Sequence, residues 1–177
     1  MGRGGYGVVY LGKHVYLEDE SERVIKILKP DVFKLEGMKQ RFYREVQLTS
    51  RLSQKEDHIV RIYDDFGEIP HVGHYYVMEL LRGQSLKDLL AEYQARDDLL
   101  PLDLCFHVFR QLLKTMHFAH SANVVHRDLK PENMFLVRHK GDSHFLKVLD
   151  FGIAKPLNQN ELEKTQLTQG AIGTPYY

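Results

Sequence analysis

The chain has 177 residues, 43% apolar and 27% charged, which suits one globular domain or a small domain with part of a second, and excludes a disordered chain. Lysine plus arginine equals aspartate plus glutamate at 24 each, so no net field favours nucleic acid or an anionic membrane surface. A single cysteine, Cys105, no apolar run near the ~20 residues of a bilayer span and no apolar leader together predict a soluble, cytoplasmic chain without disulfides or membrane contact.

Gly2, Gly4 and Gly7 open the chain at the G-x-G-x-x-G spacing, which lets backbone approach phosphates and donate N–H groups to them. A dinucleotide-binding turn shares this spacing, but it follows a strand and opens a helix. Here only Met1 precedes Gly2, and Val8-Val9-Tyr10-Leu11 reads as a strand, so a glycine hairpin is expected. Arg23 to Leu28 is the next strand, ended by Pro30, with Val24, Lys26 and Leu28 on one face. Residues 38–53 read as a helix from Phe42, Val46, Thr49 and Leu52. Glu45 lies on that helix, and Arg41, Arg44 and Arg51 read as solvated charge.

Ile59 to Tyr63 and Tyr75 to Leu80 read as two more strands around a turn-rich Gly67–Gly73 connection. Gly83 reads as a hinge, and Ser85-Leu86-Lys87-Asp88 as a capping box opening a short helix through Tyr93. Pro101 opens a longer helix to about Ser121, and its apolar residues from Leu104 to Ala119 nearly encircle it, which predicts burial between neighbours. Val124 and Val125 read as a short buried strand, and Met134 to Val137 as a strand leading out. The chain then turns through Lys140-Gly141-Asp142 and returns as the strand Phe145 to Leu149. Ten histidines are many, but none has metal-site spacing; His117 and His120, three apart on a helix, lack two further ligands.

Between the last two apolar runs lies His126-Arg127-Asp128-Leu129-Lys130-Pro131-Glu132-Asn133, a charged loop held at both ends, and the returning strand delivers Asp150-Phe151-Gly152. These two motifs, at this separation, resemble those of the protein kinases. The resemblance implies an α+β, protein-kinase-like fold. It would have an antiparallel N-lobe sheet with its first strand mostly missing, one helix, and a partial helical C-lobe. The lobes would divide as residues 1–81 and 82–177.

The family's chemistry then falls on particular positions. Asp128 becomes the base for a substrate hydroxyl, Lys130 sits near the transferred phosphate, and Lys26 holds the α- and β-phosphates with Glu45 as its partner. The glycines Gly2, Gly4 and Gly7 cover ATP. Val9 and Val24 roof the adenine, Met78 is the gatekeeper, backbone of Glu79 and Leu81 grips the adenine edge, and Phe135 lies beneath it. Val24 stands where kinases usually carry alanine. Asn133 and Asp150 supply hard oxygen ligands for Mg²⁺.

Lys130, Pro131-Glu132 and Gly173-Thr174-Pro175 resemble the serine/threonine branch, with Thr174 shaping the substrate floor. Arg127 suggests control by an activation-loop phosphate, with Thr168 the first candidate and Thr165 the second. Residues from Val125 to Asn133 and from Gly173 to Tyr177 are similar to bacterial kinases of the eukaryotic type. The resemblance covers nearly the whole chain, which stops before the family's A-P-E motif, so a truncated kinase domain is expected. The function the resemblance implies is ATP-dependent phosphorylation of protein serine or threonine. The alternatives are a non-enzymatic nucleotide- or partner-binding fragment, and a fragment that does not fold alone.

Overall fold

The computed structural model describes residues 7–13, 22–34 and 37–151. Strand β1 (Gly7–Lys13) runs antiparallel to β2 (Glu22–Leu28), β2 pairs with β4 (Gly73–Glu79), and β3 (Ile62–Ile69) completes the order β1-β2-β4-β3. The register sets Val9 opposite Lys26, Lys26 opposite Tyr76, and Val24 opposite Met78. Residues directly opposite one another share a face. Val24, Leu28, Tyr76 and Met78 therefore turn together onto Phe42 and Val46 of helix α1 (Met38–Ser53), all of them buried. Lys26 lies in the same rows, so its side chain runs beneath the sheet and is only 17% exposed.

The second sheet has the order β5 (Gly83–Ser85), β6 (Met134–His139), β7 (Asp142–Val148). At Gly83 the backbones come so close that a Cβ would stand 2.0 Å from the Leu136 carbonyl oxygen, so the predicted hinge residue is also a close strand contact that only glycine fits. Helix α2 (Leu86–Ala95) starts on Ser85, whose hydroxyl accepts the Asp88 N–H at 3.1 Å and donates to the Asp88 carboxylate at 2.6 Å. Helix α3 (Leu102–Ser121) buries Val108, Leu112, Thr115 and Ala119. Its apolar residues join Ile59, Leu89, Leu136, Leu146 and Val148 in a second core. Leu102, Phe106, Phe109 and Leu113 are each more than half exposed, so α3 is covered along one stripe and not all round among the described residues. No described helix is long and apolar enough to cross a membrane.

Two predicted strands differ. Val124 and Val125 form no strand: Asn123 takes a left-handed backbone (φ 58°), the Val124 N–H folds back to the Ala119 carbonyl at 2.9 Å, and Val125 is 47% exposed. The pair belongs to the turn that ends α3. Strand β3 begins at Ile62 and runs through Gly67 to Ile69, so the connection to β4 is shorter than the glycines suggested. Ile59 instead bridges Val148 in parallel, with the Val60 N–H on the Val148 carbonyl at 3.0 Å and the Val148 N–H on the His58 carbonyl at 2.7 Å. Residues 58–60 thereby anchor the end of β7, two residues before Asp150.

Candidate active site

Lys26 and Asp150 are 124 positions apart and meet: Nζ lies 2.6 Å from Oδ1 and 2.5 Å from Oδ2. The Tyr76 hydroxyl donates to Oδ1 at 3.0 Å. Burial is the largest influence on the Asp150 carboxyl and pushes it up. The Lys26 charge, its hydrogen bond and that of Tyr76 together outweigh burial and hold the group below its usual value. Burial, and then the Asp150 charge, push the Tyr76 phenol well above its ordinary value, so it remains a donor. Asp150 has a left-handed backbone (φ 54°), as does Arg127 (φ 64°). For a residue other than glycine this costs of order 1–3 kcal/mol and persists only where surroundings enforce it.

The loop after α3 reaches the same place. The Leu149 N–H donates to the Asn133 carbonyl at 2.9 Å, tying the segment before Asp150 to that loop. The Asn133 side-chain amide donates to the Asp128 main-chain oxygen at 2.8 Å and to Oδ2 at 3.2 Å, and Lys130 Nζ stands 2.9 Å from the same Oδ2. Burial, the largest influence on Lys130, lowers it, but the hydrogen bond and charge of Asp128 raise it above its ordinary value. His126, 2% exposed, pairs through Nε2 with the Leu149 carbonyl at 2.8 Å and accepts the Asp128 N–H on Nδ1 at 3.2 Å. These partners assign the proton to Nε2. Lys26, Asp128, Lys130, Asn133 and Asp150 thus belong to one connected constellation.

The expected Lys26–Glu45 pair is absent. Glu45 accepts from Arg41 Nε at 3.0 Å and from Arg127 Nη1 at 3.2 Å, while its buried Oε2 has no partner among the described residues. Asp150 occupies the ammonium, and an arginine four residues earlier on the same helix lies within easy reach of Glu45. Burial leads, and it raises the Glu45 carboxyl despite both arginines. Arg41, read as solvated, is in fact 20% exposed and paired.

Gly7 starts β1, where a Cβ would stand 2.3 Å from the Ile27 carbonyl oxygen. Val24 and Met78 lie in the first core, with Val9 and Leu81 half-buried against it. The Glu79 N–H donates to the Arg61 carbonyl at 2.9 Å, and Glu79 stands opposite Arg23 at the end of the β2–β4 pair. Phe135 lies in β6, opposite Lys147 and Ser85. Gly2, Gly4, Thr165, Thr168 and Thr174 lie outside the described residues.

The donors fit a magnesium ion: one carboxylate with 31% of its side chain open, and an amide whose nitrogen is engaged by Asp128 so that its oxygen is the atom left. Mg²⁺ commonly takes one or two protein oxygens and completes its shell with phosphate and water. Two features were not legible beforehand, the Tyr76–Asp150 contact and the role of His126 as a clamp. The only sequence signal for the first was a tyrosine in a buried strand, a phenol that needs a partner.

The protein kinase domain model matches residues 1–177, and the chain belongs to that family. It is 36% identical over 178 residues to the serine/threonine-protein kinase Pkn1 of Myxococcus xanthus, covering 100% of this chain and 24% of that protein. The serine/threonine-protein kinase PrkC of Bacillus subtilis is 35% identical over 172 residues, covering 97% and 24%. PknA of Corynebacterium glutamicum is 34% identical over 181 residues, covering 100% and 35%. The chain therefore spans about a quarter to a third of the length of these relatives. Among solved structures, the PknI kinase domain of Mycobacterium tuberculosis superposes with a TM-score of 0.72 at 26% identity, over 88% of this chain and 58% of that one. The fold is kinase-like, an antiparallel sheet with one helix leading into a mainly helical part, as the motifs implied.

Proposed function

We propose that the chain is the nucleotide-binding and catalytic part of a protein serine/threonine kinase, with lobes meeting between Leu81 and Arg82. The observation that carries this is the contact network linking Lys26, Asp150, Asn133, Asp128 and Lys130. Few other reactions call for this set: phosphoryl transfer is mainly positioning and charge neutralisation, and needs cations, hard oxygen ligands and one base.

In the proposed reaction a serine or threonine oxygen attacks the γ-phosphorus of ATP, the bond to the β-phosphate oxygen breaks, and the hydroxyl proton passes to the Asp128 carboxylate. Lys130 neutralises charge on the transferred group. Lys26 exchanges Asp150 for the α- and β-phosphates, and Glu45, on release from Arg127, becomes its partner. Asn133 and Asp150 would hold Mg²⁺, which when bound supplies charge neutralisation on the phosphates. Gly2, Gly4 and Gly7 cover the nucleotide. Val9, Val24, Met78 and Phe135 enclose the adenine, and backbone of Glu79 and Leu81 meets its edge. Thr174 shapes the substrate floor. A phosphate on Thr168, or on Thr165, would compete with Glu45 for Arg127.

The test is transfer of radiolabel from γ-labelled ATP by the full-length protein. Asp128→Asn should lower kcat by about 10²–10⁴-fold, the contribution typical of a positioned proton acceptor. Phosphoamino-acid analysis should find label on serine or threonine. Label transfer at the wild-type rate in Asp128→Asn would sink the assigned base, and label on tyrosine alone would sink the branch.

A further inference from the structure

Tyr76 has no part in the chemistry above, yet it touches the centre of the site. It is 1% exposed, in a strand paired on both sides, directly opposite Lys26. Its ring packs against Phe42 with centroids 6.2 Å apart, and the Lys26 ammonium lies 5.9 Å from its ring centroid. The phenol is thus fixed by the sheet, and its hydroxyl reaches Asp150 Oδ1 at 3.0 Å. Among the described residues, Lys26 and Tyr76 are the two side chains bonded to the Asp150 carboxylate.

These two donors differ in what else they have to do. Lys26 carries a mobile charge that phosphates attract, and once it turns to them it no longer holds either oxygen of Asp150. Among the described residues the Tyr76 hydroxyl bonds to Asp150 and to no other side chain, and its ring, packed beneath the sheet, cannot leave. We propose that Tyr76 is a positioning residue for Asp150: its hydroxyl keeps Oδ1 at the back of the cleft, and so presents Oδ2 to a divalent cation after Lys26 departs. The cation part of this assignment rests on the kinase reading; the hydrogen bond does not. A phenylalanine at 76 would fill the same core and remove only the donor, which makes the role separable from packing.

The experiment uses the full-length protein, Mn²⁺ as probe and a non-hydrolysable ATP analogue, with bound metal read by electron paramagnetic resonance. Tyr76→Phe should bind the analogue in EDTA within about twofold of wild type, and should need about tenfold more Mn²⁺ for half-saturation, the loss of one charge-assisted hydrogen bond. With Mg²⁺ as the metal, the half-saturating concentration should rise by a similar factor while kcat at saturating Mg²⁺ stays near wild type. Unchanged Mn²⁺ affinity would overturn the proposal. So would an equal loss of analogue binding in EDTA, which would mark Tyr76 as a packing residue only. A wild-type protein that bound no analogue would sink the kinase reading, and with it the metal role of Tyr76. The ¹³C shift of the Asp150 carboxyl at fixed pH without metal, unchanged between wild type and Tyr76→Phe, would sink the hydrogen bond itself.

Discussion

His126 uses both ring nitrogens, one as donor and one as acceptor, and this determines how the loop responds to acid. A second proton would go to Nδ1 and face the Asp128 N–H, so the charged ring must break a bond that the neutral ring makes. Burial, the largest influence, lowers the His126 pKa below the usual 6.5, and the hydrogen bond to Leu149 only partly opposes it. Between the lowered folded value and the unfolded one, the unfolded chain binds more protons, so stability falls with decreasing pH. The contribution is complete above about pH 6.5 and is lost as pH drops toward the folded value. Urea midpoints of wild type should decline from pH 7 to pH 5.5 more steeply than those of His126→Asn; parallel slopes would refute this. At the residue scale, the grouping of Lys26, Asp128, Asn133 and Asp150 was legible because the motifs that carry them resemble those of the protein kinases, and their contacts link them in the structure. The partner of Lys26 was not. Either of two carboxylates can neutralise an ammonium, and the choice depends on where α1 and the segment after β7 come to rest.

Elements were more legible than contacts. Helix α1 has the bounds that its three- and four-residue spacing predicted, and α2 starts where the capping box places it. Ser85 answers two needs, accepting the Asp88 N–H and closing β5 against Phe135 of β6. Ser85→Ala should cost about 1 kcal/mol, the usual value for losing an N-cap, whereas Ser85→Thr, which keeps both the acceptor for the Asp88 N–H and the donor to its carboxylate, should keep most of it. Chemical denaturation of the three proteins checks this, and equal stability of Ser85→Ala and wild type would show that water replaces the cap. The elements that misled were short. Two β-branched residues after a helix have strand propensity, but propensity does not report the left-handed turn at Asn123 that folds them back. Gly67 looked like a turn because glycine permits one, yet here it packs beside the Tyr75 ring, where a Cβ would stand 3.4 Å from the nearest ring atom.

For the whole molecule, the decisive feature is how two sheets are fastened so that residues from both meet at Asp150. Backbone bonds from His58 and Val60 to Val148 form one fastening. The other is Glu79 at the end of β4, whose Oε1 accepts the Arg61 N–H at 2.7 Å and the Lys147 ammonium at 2.6 Å. None of this was legible in the sequence, because Lys147 in an alternating strand reads as a solvated charge, while here it is 11% exposed. Glu79 is 24% exposed, so water can partly replace a lost partner, and Lys147→Met should cost about 1–2 kcal/mol, below the range for a fully buried pair. The pair spans the two sheets, so its loss should also loosen the alignment of Lys26 on the first with Asp150 beyond the second. A double-mutant cycle of Lys147→Met with Glu79→Gln should give a coupling of at least about 0.5 kcal/mol. Nucleotide affinity should fall more in Lys147→Met than in an exposed control such as Lys140→Met, whose ammonium pairs with Asp57 at a surface site. A coupling indistinguishable from zero would mean the backbone bonds at Val148 hold the sheets together unaided, and the Glu79–Lys147 pair merely occupies the seam.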